Sequence, residues 1–179
     1  MKKRYLILFI ISLYIMQISM FLDFMIINNE IYNQVLEKAL FYTSFSFFIL
    51  SLILGLVNLI FAFTKINDNN GTIKITMISK LVLVPYFIIN FLVCALLIAG
   101  FAFIFTILST IILIPLFVLA NFLTMLVTSS YNISYLINKF KNKEINLLTF
   151  FIHFIFQLVF IGDIIDTIYI YRNNGNMLK

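Results

Sequence analysis

The chain has 179 residues, of which 63% are hydrophobic and 11% charged, with a net charge of +5 and a mean hydropathy of +1.11. A water-soluble domain carries about a quarter charged residues, and twenty-two Phe with nine Tyr supply more apolar surface than one small core can enclose, so a soluble globular fold is excluded and lipid is the remaining solvent. The basic balance does not signal nucleic acid, because the twelve Lys and Arg flank the apolar runs, where they meet phospholipid headgroups, and no basic stripe is interleaved with aromatics.

The pattern predicts an all-α, polytopic transmembrane helical bundle. One integral membrane domain, residues 1–179, is expected to cross the membrane five times, with four crossings as the alternative. The first span, 5–27, follows Lys2, Lys3 and Arg4 and is longer than a signal-peptide core, which runs about 7–15 residues. Residues 30–40 have helical spacing and read as an interfacial turn or as an extension of the second span, 41–63. Residues 64–74 read as a loop around the turn formers Asp68, Asn69, Asn70 and Gly71.

Residues 81–128 carry no charge. As one helix they would reach about 72 Å, more than twice the hydrocarbon layer, so they must fold back. The close polar group Thr106, Ser109 and Thr110 places that turn, giving spans 81–104 and 110–129. Residues 130–143, with Tyr131, Tyr135 and three lysines, read as an amphipathic helix leaving the membrane. The fifth span is 145–169. A chain of this kind resides in the cell membrane as a multi-pass protein.

Charge sorting supports the count. With a cytoplasmic N-terminus, nine basic residues fall inside (Lys2, Lys3, Arg4, Lys65, Lys74, Lys80, Lys139, Lys141, Lys143) and three outside (Lys38, Arg172, Lys179), as the positive-inside rule requires. This places the C-terminus outside. Pro85 and Pro115 each remove a backbone donor within a span and predict local kinks. The pairs Ser51 and Gly55, and Ala95 and Ala99, have the four-residue spacing that permits close helix contact.

Polar side chains at membrane depth need partners. Asn58, Asn90, Asn121 and His153, with Gln157 near the last, fall at overlapping depth in the cytoplasmic half. They form either a small polar cavity, with His153 as a proton-titrating or ligand-contacting group, or a hydrogen-bond network that holds the bundle together. Asp163 and Asp166, three apart on one helix face, join Asp23 on the outer side. They form an outward acidic site for a cation or basic ligand, or mark the end of a shorter helix lying along the interface.

The segment KLVLVPYFIINF, residues 80–91, resembles a stretch of uncharacterised small multi-span membrane proteins from low-GC Gram-positive bacteria. The resemblance implies no activity. Catalytic residues are not apparent: HExxH, GxSxG, nucleotide-loop and CxxC motifs are absent from the sequence. Cys94, the sole cysteine, can form no intrachain disulfide. No cofactor is implied, and no metal: on one continuous helix His153 lies about 15 Å from Asp163, too far for a shared coordination shell. The expected function is that of a noncatalytic accessory, regulatory or immunity-type subunit of a membrane complex. A small transporter or channel component for a cation or small solute is the alternative, with an intramembrane enzyme the least supported. Its expected partners are membrane lipid and either another membrane protein or further copies of itself, with no nucleic acid.

Overall fold

A computed structural model describes residues 2–27, 34–64, 70–99 and 107–173. These residues are all-α, in six helices: α1 (Lys2–Ile27), α2 (Gln34–Thr64), α3 (Asn70–Ala99), α4 (Ile107–Lys141), α5 (Leu147–Phe156) and α6 (Phe160–Asn173). Four of them contain stretches long and apolar enough to cross a membrane: Arg4–Asp23, Gln34–Thr64, Ile73–Leu96 and Ile114–Lys141. The protein is therefore a helical membrane protein, as its composition requires.

The chain divides into two compact units, Met1–Phe61 and Ala62–Lys179. In the first, the rings of Tyr5 and Phe61 lie 5.3 Å apart, placing the start of α1 beside the end of that unit's part of α2. Buried Leu6, Phe9, Ile10, Leu13 and Met16 recur on one side of α1, while Ile7, Leu8, Ile11 and Ile18 are exposed. Both sides are apolar, as expected for a helix that meets lipid where it does not meet protein. Ser51 and Gly55 of α2 are buried, consistent with close approach there, whereas Ala95 and Ala99 of α3 are exposed.

The second unit is built on α3 and α4. Asn90 meets Asn121, and Ile73 shares an apolar cluster with Leu136, so numbers rise along one helix as they fall along the other and the two are antiparallel. Both helices continue through their prolines, Pro85 and Pro115, which lie on exposed faces. The break between α3 and α4 falls on residues 100–106, outside the described residues. Ile107–Thr110, expected in the turn, are helical.

Two further expectations are corrected. Residues 130–143 are not a separate interfacial helix: α4 runs unbroken to Lys141, and every residue from Ser129 to Leu136 is buried. The cause is packing, since α4 contacts α3, α5 and α6, so its small and polar residues meet neighbouring helices. Nor is 145–169 a single span. It is two short helices separated by a turn at Gln157–Val159.

Those two helices fold back on each other. The rings of His153 and Tyr169 stack with centroids 5.6 Å apart, although sixteen residues on one straight helix would span about 24 Å. Ile145, just before α5, and Ile170, near the end of α6, lie in one buried cluster with Ile73, Tyr135 and Leu136. The chain thus enters and leaves the pair at the same end of the unit, beside the start of α3 and the end of α4. At ten residues, α5 rises about 15 Å, half the thickness of a bilayer core.

The entry to this hairpin has its own local code. Glu144 N–H donates to Lys139 O (2.9 Å) and Lys143 N–H to Phe140 O (3.0 Å), the paired bonds that close a helix through a left-handed residue. That residue is Lys143, at φ 60°. Asn146 then caps α5, its side chain accepting from Thr149 N–H at 2.7 Å, which satisfies a donor the helix start leaves open. At the far end, a Cβ on Gly162 would lie 2.8 Å from Phe156 Cδ1 and 3.1 Å from Phe156 O, so the first turn of α6 can cross the end of α5 closely only without a side chain.

Thermal unfolding in detergent should therefore show Gly162→Val less stable by about 1–3 kcal/mol through overpacking. Lys143→Val should cost about 1–2 kcal/mol, because a β-branched residue tolerates positive φ poorly, and Lys143→Gly should show no such loss.

Candidate functional site

The inner faces of α5 and α6 carry the buried carboxylates and the buried histidine of the second unit. His153 and Gln157 are four apart, and Asp163, Asp166 and Thr167 recur at three- and four-residue spacing, so each set occupies one helical face. Folding the helices together brings both sets against Lys80 of α3 and Ser129 and Asn132 of α4. All eight side chains are buried. The opposite faces expose Leu148, Phe151, Ile155, Val159, Ile161 and Ile165, which suit lipid.

Lys80 is the centre of this cluster, and only 3% exposed. Its ammonium donates to Gln157 Oε1 (2.8 Å), Thr167 Oγ1 (2.8 Å) and the carboxylate of Asp163. An ammonium has three N–H donors, and each has an acceptor here. Asp163 also accepts from Ser129 Oγ at 2.6 Å. The Thr167 hydroxyl donates to Asp163 O (2.6 Å) while accepting from Asn132 Nδ2 at 2.6 Å.

A second side-chain pair adjoins the first. His153 Nδ1 meets one oxygen of Asp166, and Gln157 Nε2 donates to the other. Gln157 sits where α5 ends, and its amide joins the two pairs, carbonyl to Lys80 and amino group to Asp166. This is why the helix breaks here without a proline: the side chains on either side of the break satisfy one another only if the chain reverses.

The expected site residues are thus rearranged. His153 and Gln157 do share a polar cluster, but with Asp163 and Asp166 rather than with Asn90 and Asn121. Asn90 and Asn121 form their own bond, Nδ2 to Oδ1 at 2.7 Å, further along the α3–α4 contact, where Tyr86 hydrogen bonds with Asn90 and Thr124. Asn58 and Asp23 belong to the first unit. The Asn58 amide donates to Leu54 O of its own helix at 2.8 Å, and Asp23 Oδ1 is buried with no partner among the described residues.

The expected outward placement of Asp163 and Asp166 is corrected. Asp163 and Asp166 point inward to Lys80 and His153, and because His153 touches Asp166 the two cannot lie on opposite sides of the membrane. The separation computed for a continuous helix fails for the same reason. Among the described residues no group of three or more His, Cys, Asp or Glu is placed to hold a metal ion. Lys80 is the residue at the centre of the cluster that hydropathy does not mark, since a lysine near the end of an apolar run reads as a boundary anchor. Its signal was present: Ile73, Ile75, Met77 and Ile78 precede it, so it lies seven residues, about 10 Å, inside the apolar helix.

A groove of about 580 Å³ lies at the α4–α5 turn, lined by Phe140, Lys141, Lys143, Glu144, Ile145 and Asn146. It does not include the charged cluster. Lys139 Nζ donates to Glu144 Oε2 beside it at 2.6 Å, and that hydrogen bond holds the Glu144 carboxyl below the usual carboxylate range.

Removing one partner of a buried ion pair leaves an uncompensated charge and costs about 3–5 kcal/mol, whereas an apolar replacement of both is far milder. Lys80→Met and Asp163→Leu should each depress the thermal midpoint strongly, and the double variant should recover much of the loss. Glu144→Gln, at the part-buried pair with Lys139, keeps an acceptor for the lysine and should depress it less.

Residues 2–176 match the Family of unknown function (DUF6652), and the chain belongs to that family. No curated protein and no solved structure matches it.

Proposed function

We propose that the protein is a noncatalytic module of the cell membrane, an accessory or regulatory subunit, of the immunity or assembly kind, that works through contact with a membrane partner. The observation that carries this reading is the closure of the Lys80 cluster. All three ammonium donors are consumed by Gln157, Asp163 and Thr167, so the strongest charge within the apolar helices is spent on holding the hairpin. Large apolar side chains such as Leu56, Ile60, Phe91 and Leu96 are meanwhile exposed along the spanning helices, available to lipid or to another membrane protein.

Chain order gives the orientation this reading adopts. Four crossings with a returning hairpin put both termini on one side. Lys80 leaves the boundary count, and Arg172 and Lys179 join Lys2, Lys3, Arg4, Lys65, Lys74, Lys139, Lys141 and Lys143, with Lys38 alone opposite. The positive-inside rule then makes the shared side cytoplasmic. The bias is stronger than for five crossings.

A second reading, a small transporter or channel component for a cation or small solute, is favoured by one observation: an ion pair at the broken segment of a short-helix hairpin, where transporters commonly build their sites. Flux separates the two. Purified protein in proteoliposomes should pass Na⁺, K⁺ and protons no faster than empty vesicles, while a photoreactive residue at Leu56 or Ile60 in native membranes should give one defined protein adduct. Flux that Lys80→Met abolishes would support transport instead, and cross-linking to lipid alone would contradict the accessory reading.

A further inference from the structure

The cluster is one proton short of neutrality. Lys80 contributes one positive charge, and Asp163 and Asp166 one negative charge each, so with a neutral His153 ring the buried group carries a net negative charge. Such a charge in an apolar surrounding is expensive. Donors are short as well. Asn132 is 0% exposed and its Nδ2 serves Thr167 and Gln157, but its Oδ1 has no donor among the described residues. Both Asp166 oxygens are already engaged, one by His153 Nδ1 and the other by Gln157 Nε2.

We propose that the His153–Asp166 pair is a proton-binding site within the α5–α6 hairpin, and that its proton is what neutralises the cluster and keeps the hairpin closed. The pair takes one proton from water. Imidazole and carboxylate become either imidazolium with carboxylate or imidazole with carboxylic acid, and nothing else changes hands. The groups facing the pair make this specific. From α3 comes Lys80, committed to Asp163; from α4 come Ser129 and Asn132, which do not ionise; from α5, Gln157; from α6, Asp163, Asp166 and the Tyr169 ring stacked on His153.

Asp163 is held by Lys80 and Ser129, so Asp166 is the carboxylate that the ring touches. Loss of the proton leaves the net negative charge beside Gln157, the residue that ties the hairpin to Lys80, so release favours an opened hairpin. Closing the hairpin therefore favours the protonated pair, and opening it releases the proton to water. This inference rests on the cluster's geometry alone and holds for an accessory subunit or a transporter.

His153 is the only histidine, which gives a direct readout. The whole chain, ring-¹⁵N-labelled, carrying a tag without histidine and placed in lipid nanodiscs, is observed by nitrogen NMR and infrared spectroscopy across pH. At neutral pH the expected result is an imidazolium, or a ring bare at Nδ1 together with a protonated-carboxyl band that Asp166→Asn removes. Raising the pH should convert this to a neutral ring protonated at Nδ1, with the melting midpoint falling over the same interval. Asp166→Asn is neutral without the extra proton and should show no such fall. A wild-type ring that at neutral pH already carries hydrogen on Nδ1 and is bare at Nε2 overturns the proposal, and that spectrum decides even where the variant fails to fold.

Discussion

An ammonium group inside an apolar helix must be surrounded by acceptors, and that demand from Lys80 organises the second unit. Seven residues beyond Ile73 it is too deep to be left unpaired, since isolated charges at such positions carry a penalty of several kcal/mol. Neither α3 nor α4 supplies a carboxylate to answer it. The acceptors come from Gln157, Asp163 and Thr167, all on the segment after α4. That segment can deliver them only by running inward as α5, stopping, and returning as α6.

The rest of the unit accommodates this reversal. Lys143 accepts a left-handed backbone to close α4, Asn146 starts α5 with its own side chain, and Gly162 lets the first turn of α6 pass the end of α5. The outer faces of the hairpin remain apolar, so its insertion costs nothing on the lipid side, while Ile145 and Ile170 seal its two ends against Ile73, Tyr135 and Leu136. The hydrogen bond between Asn90 and Asn121 fastens α3 to α4 at a second level. Polar contacts of this kind add about 0.6–2 kcal/mol each in membranes, small beside the cost of stranding either member of the Lys80–Asp163 pair.

The sequence makes the all-α membrane class and the four long helices legible because lipid imposes long apolar runs, and the runs at 5–27 and 41–63 map onto α1 and α2. What hydropathy cannot register is a reversal within a run. Residues 145–169 read as one span because Gln157–Val159 holds no proline or glycine, and its break is imposed by contacts with α3 and α4. The same blindness placed Lys80 at a boundary, since a single lysine near the end of a run is ordinarily an anchor. Spacing did carry the inner faces: His153 with Gln157, and Asp163 with Asp166 and Thr167, are each one-face sets. Only the partner across the fold was missing, and Asp163 and Asp166, in search of one, were turned outward.

The Lys80 cluster can form only if α5 and α6 return to the side from which they leave. In a Cys94→Ser background, single cysteines at Lys141 and Arg172, just before and just after the hairpin, report this directly when oriented membranes are exposed to a membrane-impermeant maleimide. Both positions should be labelled from the same face and protected from the other. Labelling of Lys141→Cys and Arg172→Cys from opposite faces would mean that residues 145–169 cross the bilayer, and would contradict the closed hairpin and the charge cluster that depends on it.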